Sequence, residues 1–332
     1  MAVIRIFAPL YILLEFVTIA QCFSVGSAGS NNRYLSSFVG ISAPYLFERK
    51  ISTSTALGAQ ASNLVLNEVQ ACEDDSEGGL SDLDQQLRIS IDNLYANFLD
   101  DMGEKVDYDA LSKSEEFEDY KKKAALLESF DSSALSEDFR KAFFLNIYNC
   151  LVIHGLVELG EPKTWDDRLK LYSTVSYKIG GLVLTLDDIE HGVLRGNRAG
   201  GSHKEVPFPE GDPRAGLALT LDPRIHFALN CGAVSCPPIR FYEGEEIDDQ
   251  LDLSTEAYLE DIEIEEHLST VRLPKLLDWY GSDVSSTKSP EEILEWVVPF
   301  LYEEEKAEAV KKILKSGDLI VDFLPYNWDL ND

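Results

Sequence analysis

The chain has 332 residues, enough for two average domains or one large one, and 45% of them are hydrophobic, an ordinary share for a folded core. Its 59 acidic residues against 29 basic ones give a net charge of −30. That balance argues against nucleic acid and anionic lipid, which reward basic patches, and leaves a small molecule, a peptide or a protein as the expected partner.

The first elements read as address rather than fold. Arg5 precedes a mostly apolar run over residues 7–20, interrupted by Glu15 and Thr18, and Ala20-Gln21-Cys22 places small residues at −3 and −1 of a cleavage site. Residues 1–22 are therefore expected to be a signal peptide, with no later stretch apolar enough to span a membrane and no membrane contact after its removal. Residues 23–47 are rich in Ser, Gly and Asn, with Arg33 as the sole charge, and 73–79 are acidic and Gly-containing. Residues 23–80 thus read as a transit-like or disordered linker, with a helical turn or two near 63–71. The expected destination is the secretory pathway, with secretion, or, through a bipartite presequence, the plastid of an alga with secondary plastids.

Order is expected over 81–332. Ser81 and Asp84 make a capping-box pattern ahead of Leu83, Leu87, Ile91, Leu94 and Phe98 at helical spacing. Residues 114–129 read as an amphipathic surface helix. The segment 139–159 is apolar nearly all round, which predicts a central buried helix, yet Asn146, Cys150 and His154 form a polar line through it at i, i+4 and i+8, with Asn149 beside them. Gly180-Gly181 between alternating apolar residues predicts a β-hairpin over 177–184. Thr185 with Asp188 caps a helix over 185–195, whose second polar line is Asp187, His191 and Arg195, with Glu190 alongside. Asp212-Pro213-Arg214 and Asp222-Pro223-Arg224 each open a short apolar run, read as two strands. The second reaches Asn230-Cys231-Gly232, where a turn is expected, and Pro237-Pro238 forces an extended exit. An acidic helix over 247–267, a strand at 271–273, a helix opened by Ser289-Pro290, a helix over 304–314 and a strand at 319–323 follow. The fold class is α+β: one helix-rich domain with a few short strands and a small antiparallel sheet.

VDYDAL (106–111), AFFLNIYN (142–149), YKIGG (177–181), LTLDDIEHGVLRG (184–196), DPRIHFALNCGAVSCPP (222–238) and PYNWDLN (325–331) together resemble the family called domain of unknown function 547. The resemblance is collinear from about residue 85 to the end, with Phe144 where the family usually has Trp. It implies a domain over 81–332 but no reaction, because the family's biochemical function is not established. Plant members read CG..SSP in the central motif, placing Ser where this chain has Cys236, so a fixed disulfide or a two-cysteine metal site is not a family requirement.

The residues allow two functions. The first is a cysteine-dependent hydrolase or acyl transferase: Cys231 as nucleophile on a turn, His191 as its base in preference to His154, and Glu190 to orient the imidazole. Asn146, Asn149, His154, Arg195, His226, Asn230, Gly232 and Cys236 would line the site. His226 is set aside as the base, since five residues of extended strand span about 16 Å. The amides of Gly232 and Ala233 are candidate oxyanion donors. A zinc set of Cys231, Cys236, His226 and His191 is a weaker use of the same residues, so no metal and no cofactor is expected. The second function is a non-enzymatic interaction module that docks a protein through its acidic helices.

Overall fold

The computed structural model describes residues 63–68, 83–199 and 205–332, all within one compact unit, Ala59–Asp332. The expected signal peptide, most of the expected linker and Ser81 lie outside the described residues. The rest is a helix-rich α+β domain carrying two small mixed sheets.

The strongest hydrophobic pattern becomes the centre. After α1 (Leu83–Phe98), α2 (Tyr108–Leu111) and α3 (Glu115–Ala125), helix α4 runs from Glu137 to Leu159, with Ala142 to Leu156 buried without a break. A helix apolar all round has no solvent face to lose and therefore takes the middle of a core. It is also long and apolar enough to cross a membrane, contrary to the sequence reading, but its apolar surface is covered by protein. Gly160, at φ +76°, ends it. Leu87, Ile91 and Leu94 of α1 and Phe117 and Tyr120 of α3 share its core, with Phe117 and Tyr177 of the first sheet against His154.

That sheet is β1 (Leu64–Val65), β2 (Val175–Ile179) and β3 (Leu182–Thr185). The expected hairpin is there, with Ser176 opposite Thr185 and Gly180-Gly181 turning at φ +56° and +77°. Residues 64–65, expected to be helical, instead add a parallel strand to β2. The second sheet, β4 (Glu263–Glu265), β5 (Thr270–Leu273) and β6 (Ile320–Phe323), has one antiparallel and one parallel pair. It packs with helices α6 (Ile247–Leu259), α7 (Lys275–Val284), α8 (Pro290–Val297) and α9 (Glu304–Ser316) around Val271, Leu273, Leu294, Val297 and Val310.

Four expectations fail for local reasons. The two Asp-Pro-Arg runs are 3₁₀ turns, Pro213–Leu217 and Pro223–Phe227, not strands. In each, the aspartate side chain accepts the N–H of the arginine two residues on, and proline presets the first φ. The helix expected over 247–267 stops at Leu259, because Ile264 is drawn into β4 opposite Val271. Helices α5 (Trp165–Thr174) and α7 were not foreseen, although Thr164 and Asp167 make a full capping box at the start of α5. Finally, the helix after β3 is wound as a π-helix over Asp188–Leu194, with Arg195 N–H bonded to the Glu190 carbonyl, five residues back. Its Thr185–Asp188 capping pair is present. Single π-turns of this kind recur at functional sites because they realign side chains along a helix.

Candidate functional site

The turn that carries Cys231 is built by asparagines. Asn149 of α4 accepts the Asn230 N–H at 2.9 Å and donates to the Ala228 carbonyl at 3.1 Å. Asn230 in turn accepts the Gly232 N–H and donates to the Pro237 carbonyl, both at 2.8 Å, closing residues 230–237 into a loop. Asn146, one turn earlier on α4, clasps the backbone of Tyr242 through N–H and C=O at 3.0 and 2.8 Å. Gly232 sits at φ +80°, and a Cβ there would lie 2.5 Å from Leu156 Cδ1, so the turn rests directly on α4. Of the polar line on α4, the two asparagines serve this loop. Cys150 meets the Tyr95 hydroxyl at 3.5 Å and is pushed up to about 12 by burial. His154 meets the Tyr177 hydroxyl at 2.8 Å and is drawn down to about 3, mainly by burial.

Cys231 is half-buried and Cys236 buried, and their sulfurs lie 2.8 Å apart. The Tyr326 hydroxyl reaches both, at 3.5 and 3.2 Å. Hydrogen bonding from Cys236 is the largest influence on Cys231 and, with help from Tyr326 and Tyr172, draws its thiol down to about 7 against burial. Cys236 moves the other way, raised by burial and then by the neighbouring Cys231. Cys231 N–H and Ala233 N–H both point at the Cys236 sulfur, at 3.0 and 3.4 Å. The Gly232 and Ala233 amides are thus engaged by Asn230 and Cys236.

Around the sulfurs stands an aromatic wall. Trp165, Trp279 and Trp328, three of the chain's four tryptophans, pack edge-on or stacked within 5.4 Å between centroids, with Tyr326 against Trp279 and Trp328. Tyr172 of α5 donates to the Cys231 carbonyl at 3.3 Å, and Arg168 of α5 lies over the Trp328 ring. The C-terminal tail is pinned across the loop, with Val234 N–H on the Asp329 carbonyl and Asn331 N–H on the Gly232 carbonyl.

The second polar line forms a neighbouring ion network. Arg195, fully buried, makes a two-pronged bond to Asp283 of α7 at 2.6 and 2.8 Å and meets His191 Nδ1 at 3.0 Å. His226 Nε2 meets Asp283 at 2.8 Å and stacks on Tyr280 at 3.8 Å. Burial lowers His226, so its neutral form is favoured. Asp283 is pushed up by burial, but hydrogen bonds from His226 and Arg195 prevail and hold it well below the usual carboxylate range. Glu190 accepts from the Tyr148 hydroxyl at 3.0 Å and from the Tyr280 hydroxyl at 2.7 Å, with His191 Nδ1 at 3.7 Å. Both phenols are raised, first by burial and then by Glu190.

The expected residues therefore fall into three groups. Cys231, Cys236, Gly232, Asn230, Asn149 and Asn146 belong to one loop and its anchors. Glu190, His191, Arg195 and His226 meet in the adjoining network. His154 sits with Tyr177, Phe117 and Glu158. Hydrogen bonds join the Cys231 sulfur to Cys236 and Tyr326, while His191 and His226 are held by Arg195 and Asp283. A Cys2His2 zinc set would require both imidazoles to leave those partners. The structure adds Tyr148, Arg168, Tyr172, Trp279, Tyr280, Asp283, Tyr326 and Trp328 to the neighbourhood. Trp165, Arg168 and Tyr172 at i, i+3 and i+7 behind a capping box were a readable signal for one face of a helix.

Residues 132–259 match the family described as protein of unknown function, DUF547. This part of the chain belongs to the DUF547 family. The match holds Glu190, His191, Cys231 and Cys236, whereas Trp279, Tyr280, Asp283, Tyr326 and Trp328 come from beyond its end. No curated protein and no solved structure matches the chain. For a DUF547 domain the chemistry must therefore be argued from the site.

Proposed function

We propose that this DUF547 protein is a cysteine-dependent hydrolase or acyl transferase with Cys231 as its nucleophile. The observation that carries the reading is the setting of the half-buried Cys231 thiol, 2.8 Å from the Cys236 sulfur and 3.5 Å from the Tyr326 hydroxyl, hydrogen bonds that draw it down to about 7. At neutral pH such a thiol is about half ionised, and the thiolate is the attacking form. Attack on an activated carbonyl forms a C–S bond and expels the leaving group, and water or a second acceptor then releases the acyl group. Glu190 and His191 act one shell away, through the Tyr148 and Tyr280 hydroxyls that Glu190 holds. The test is intact mass after exposure to a p-nitrophenyl ester. An acyl adduct mapped to Cys231, abolished in Cys231→Ala, supports the reading; hydrolysis unchanged in Cys231→Ala refutes it.

One observation favours a second reading, a non-enzymatic interaction module. Asn146, Asn149, His154, Arg195 and His226 all find partners inside the fold, as a purely structural network would require. In that case a protein partner docks on the acidic surface, and Cys231 reacts no faster than an ordinary half-buried thiol.

A further inference from the structure

The structure holds two buried arginines among the described residues, and they are treated differently. Arg195 has its carboxylate, Asp283. Arg168, only 4% exposed, spends Nη2 on the Trp328 carbonyl and lays its guanidinium 5.2 Å from the centre of the Trp328 ring. Its Nη1 is buried with no hydrogen-bond partner. Burying a guanidinium without a counter-charge costs several kcal/mol, and this chain, with 59 acids, had carboxylates to spare. Partly buried Arg214 and Arg224 each hold at least two of them.

We propose that Arg168 binds the carboxylate of the substrate, so that the site takes an electrophile bearing a carboxylate beside its reactive carbon and an apolar or aromatic remainder. Three features converge. Arg168 lies over the Trp328 ring, Trp328 packs on Tyr326 at 4.6 Å, and the Tyr326 hydroxyl meets the Cys231 sulfur at 3.5 Å, so the cation and the nucleophile share one neighbourhood. Tyr172, one turn beyond Arg168 on the same helix, bonds the Cys231 carbonyl at 3.3 Å, so α5 brings the arginine to the loop that carries the thiol. The rings of Trp165, Trp279 and Trp328 offer an apolar face beside them, and Trp165, 40% exposed, is its open edge. A guanidinium fork matches a carboxylate in plane, where a lysine would supply only a point charge. Such a local cation is also what an anionic substrate needs at the surface of a protein with net charge −30, whose overall field repels it.

This inference rests on Cys231 being a nucleophile, and the test separates the two claims. Iodoacetate and iodoacetamide alkylate the same thiolate, sulfur bonding to the methylene carbon as iodide leaves, and differ in that one carries a carboxylate. Rates at Cys231 are measured for both by peptide mapping. The expected result is faster labelling by iodoacetate, saturating with its concentration and competed by acetate but not by acetamide. In Arg168→Gln the ratio of the two rates should fall about tenfold, the loss of one charge-assisted hydrogen bond. Because it is a ratio, any change in thiolate fraction cancels. Slower labelling by iodoacetate, linear in concentration in the unmodified protein, overturns the Arg168 assignment even if the variant misfolds. Labelling of Cys231 by neither reagent fails the nucleophile reading itself, and the Arg168 assignment with it.

Discussion

Cys236 sets the acidity of its neighbour. Its hydrogen bond is the largest cause of the Cys231 shift, so Cys236→Ala should raise the apparent pKa of Cys231 from about 7 back towards the ordinary thiol value. Cys236→Ser keeps a donor at the same place and should retain part of the lowering, which accords with the serine of plant members. Alkylation rate against pH distinguishes the three proteins; an unchanged midpoint in Cys236→Ala would remove the thiol pair from the account. Gly232 is the second residue on which the site turns. Alanine there would face both a left-handed backbone at φ +80° and the Leu156 methyl at 2.5 Å. Gly232→Ala should therefore lower the melting temperature and slow alkylation of Cys231 together.

At the scale of elements, α4 is both core and anchor. Asn149→Ala would leave the Asn230 N–H and the Ala228 carbonyl buried without partners, costing roughly 1–3 kcal/mol in urea unfolding. His154, deeper on the same helix, carries a pH dependence. Burial holds it at about 3, against about 6.5 in the unfolded chain, so between these values the unfolded state binds the extra proton. The stability this group supplies is thus intact above pH 6.5 and falls as pH drops towards 3, by a few kcal/mol at most. His154→Gln should flatten that part of the stability profile; an unaltered slope would contradict the assignment. These anchors were legible in the sequence, because a polar line through an apolar helix must be satisfied. The hairpin, the π-helix cap and the start of α8 were legible too, each from a local glycine, capping or proline signal. The two Asp-Pro-Arg turns were not, since Ile225, Phe227 and Leu229 alternate as a strand would while the aspartate caps bend the backbone locally. Nor were α5 and α7, whose apolar stripes are broken by Arg168 and Asp283, the very residues that face the site.

At the scale of the whole molecule, the site is assembled from distant parts of the chain. Tyr172, Cys231, Tyr280 and Tyr326 come together only when α5, the 230–237 loop, α7 and the tail are all in place. No periodicity encodes such a meeting, which is why the aromatic wall escaped a reading of the sequence while Cys231 did not. The same fact limits what the segment 132–259 can do alone. A chain ended at Leu324 loses Tyr326, Trp328 and the backbone bonds that pin the tail over the loop. Its far-ultraviolet helical signal should persist, since α4 and its partners remain, while the apparent pKa of Cys231 rises. A truncated chain with a thiol as acidic as the full one would show that the tail is only packing.

The proposed chemistry requires Cys231 to be an accessible, acidified thiol in the folded protein. Iodoacetamide labelling of the native chain as a function of pH, read at Cys231 by peptide mapping, tests it most directly. Selective labelling with a midpoint near 7, well below the ordinary value of about 8.5, is the expected result. Labelling of Cys231 only after denaturation, or with the midpoint of an unperturbed thiol, would contradict it.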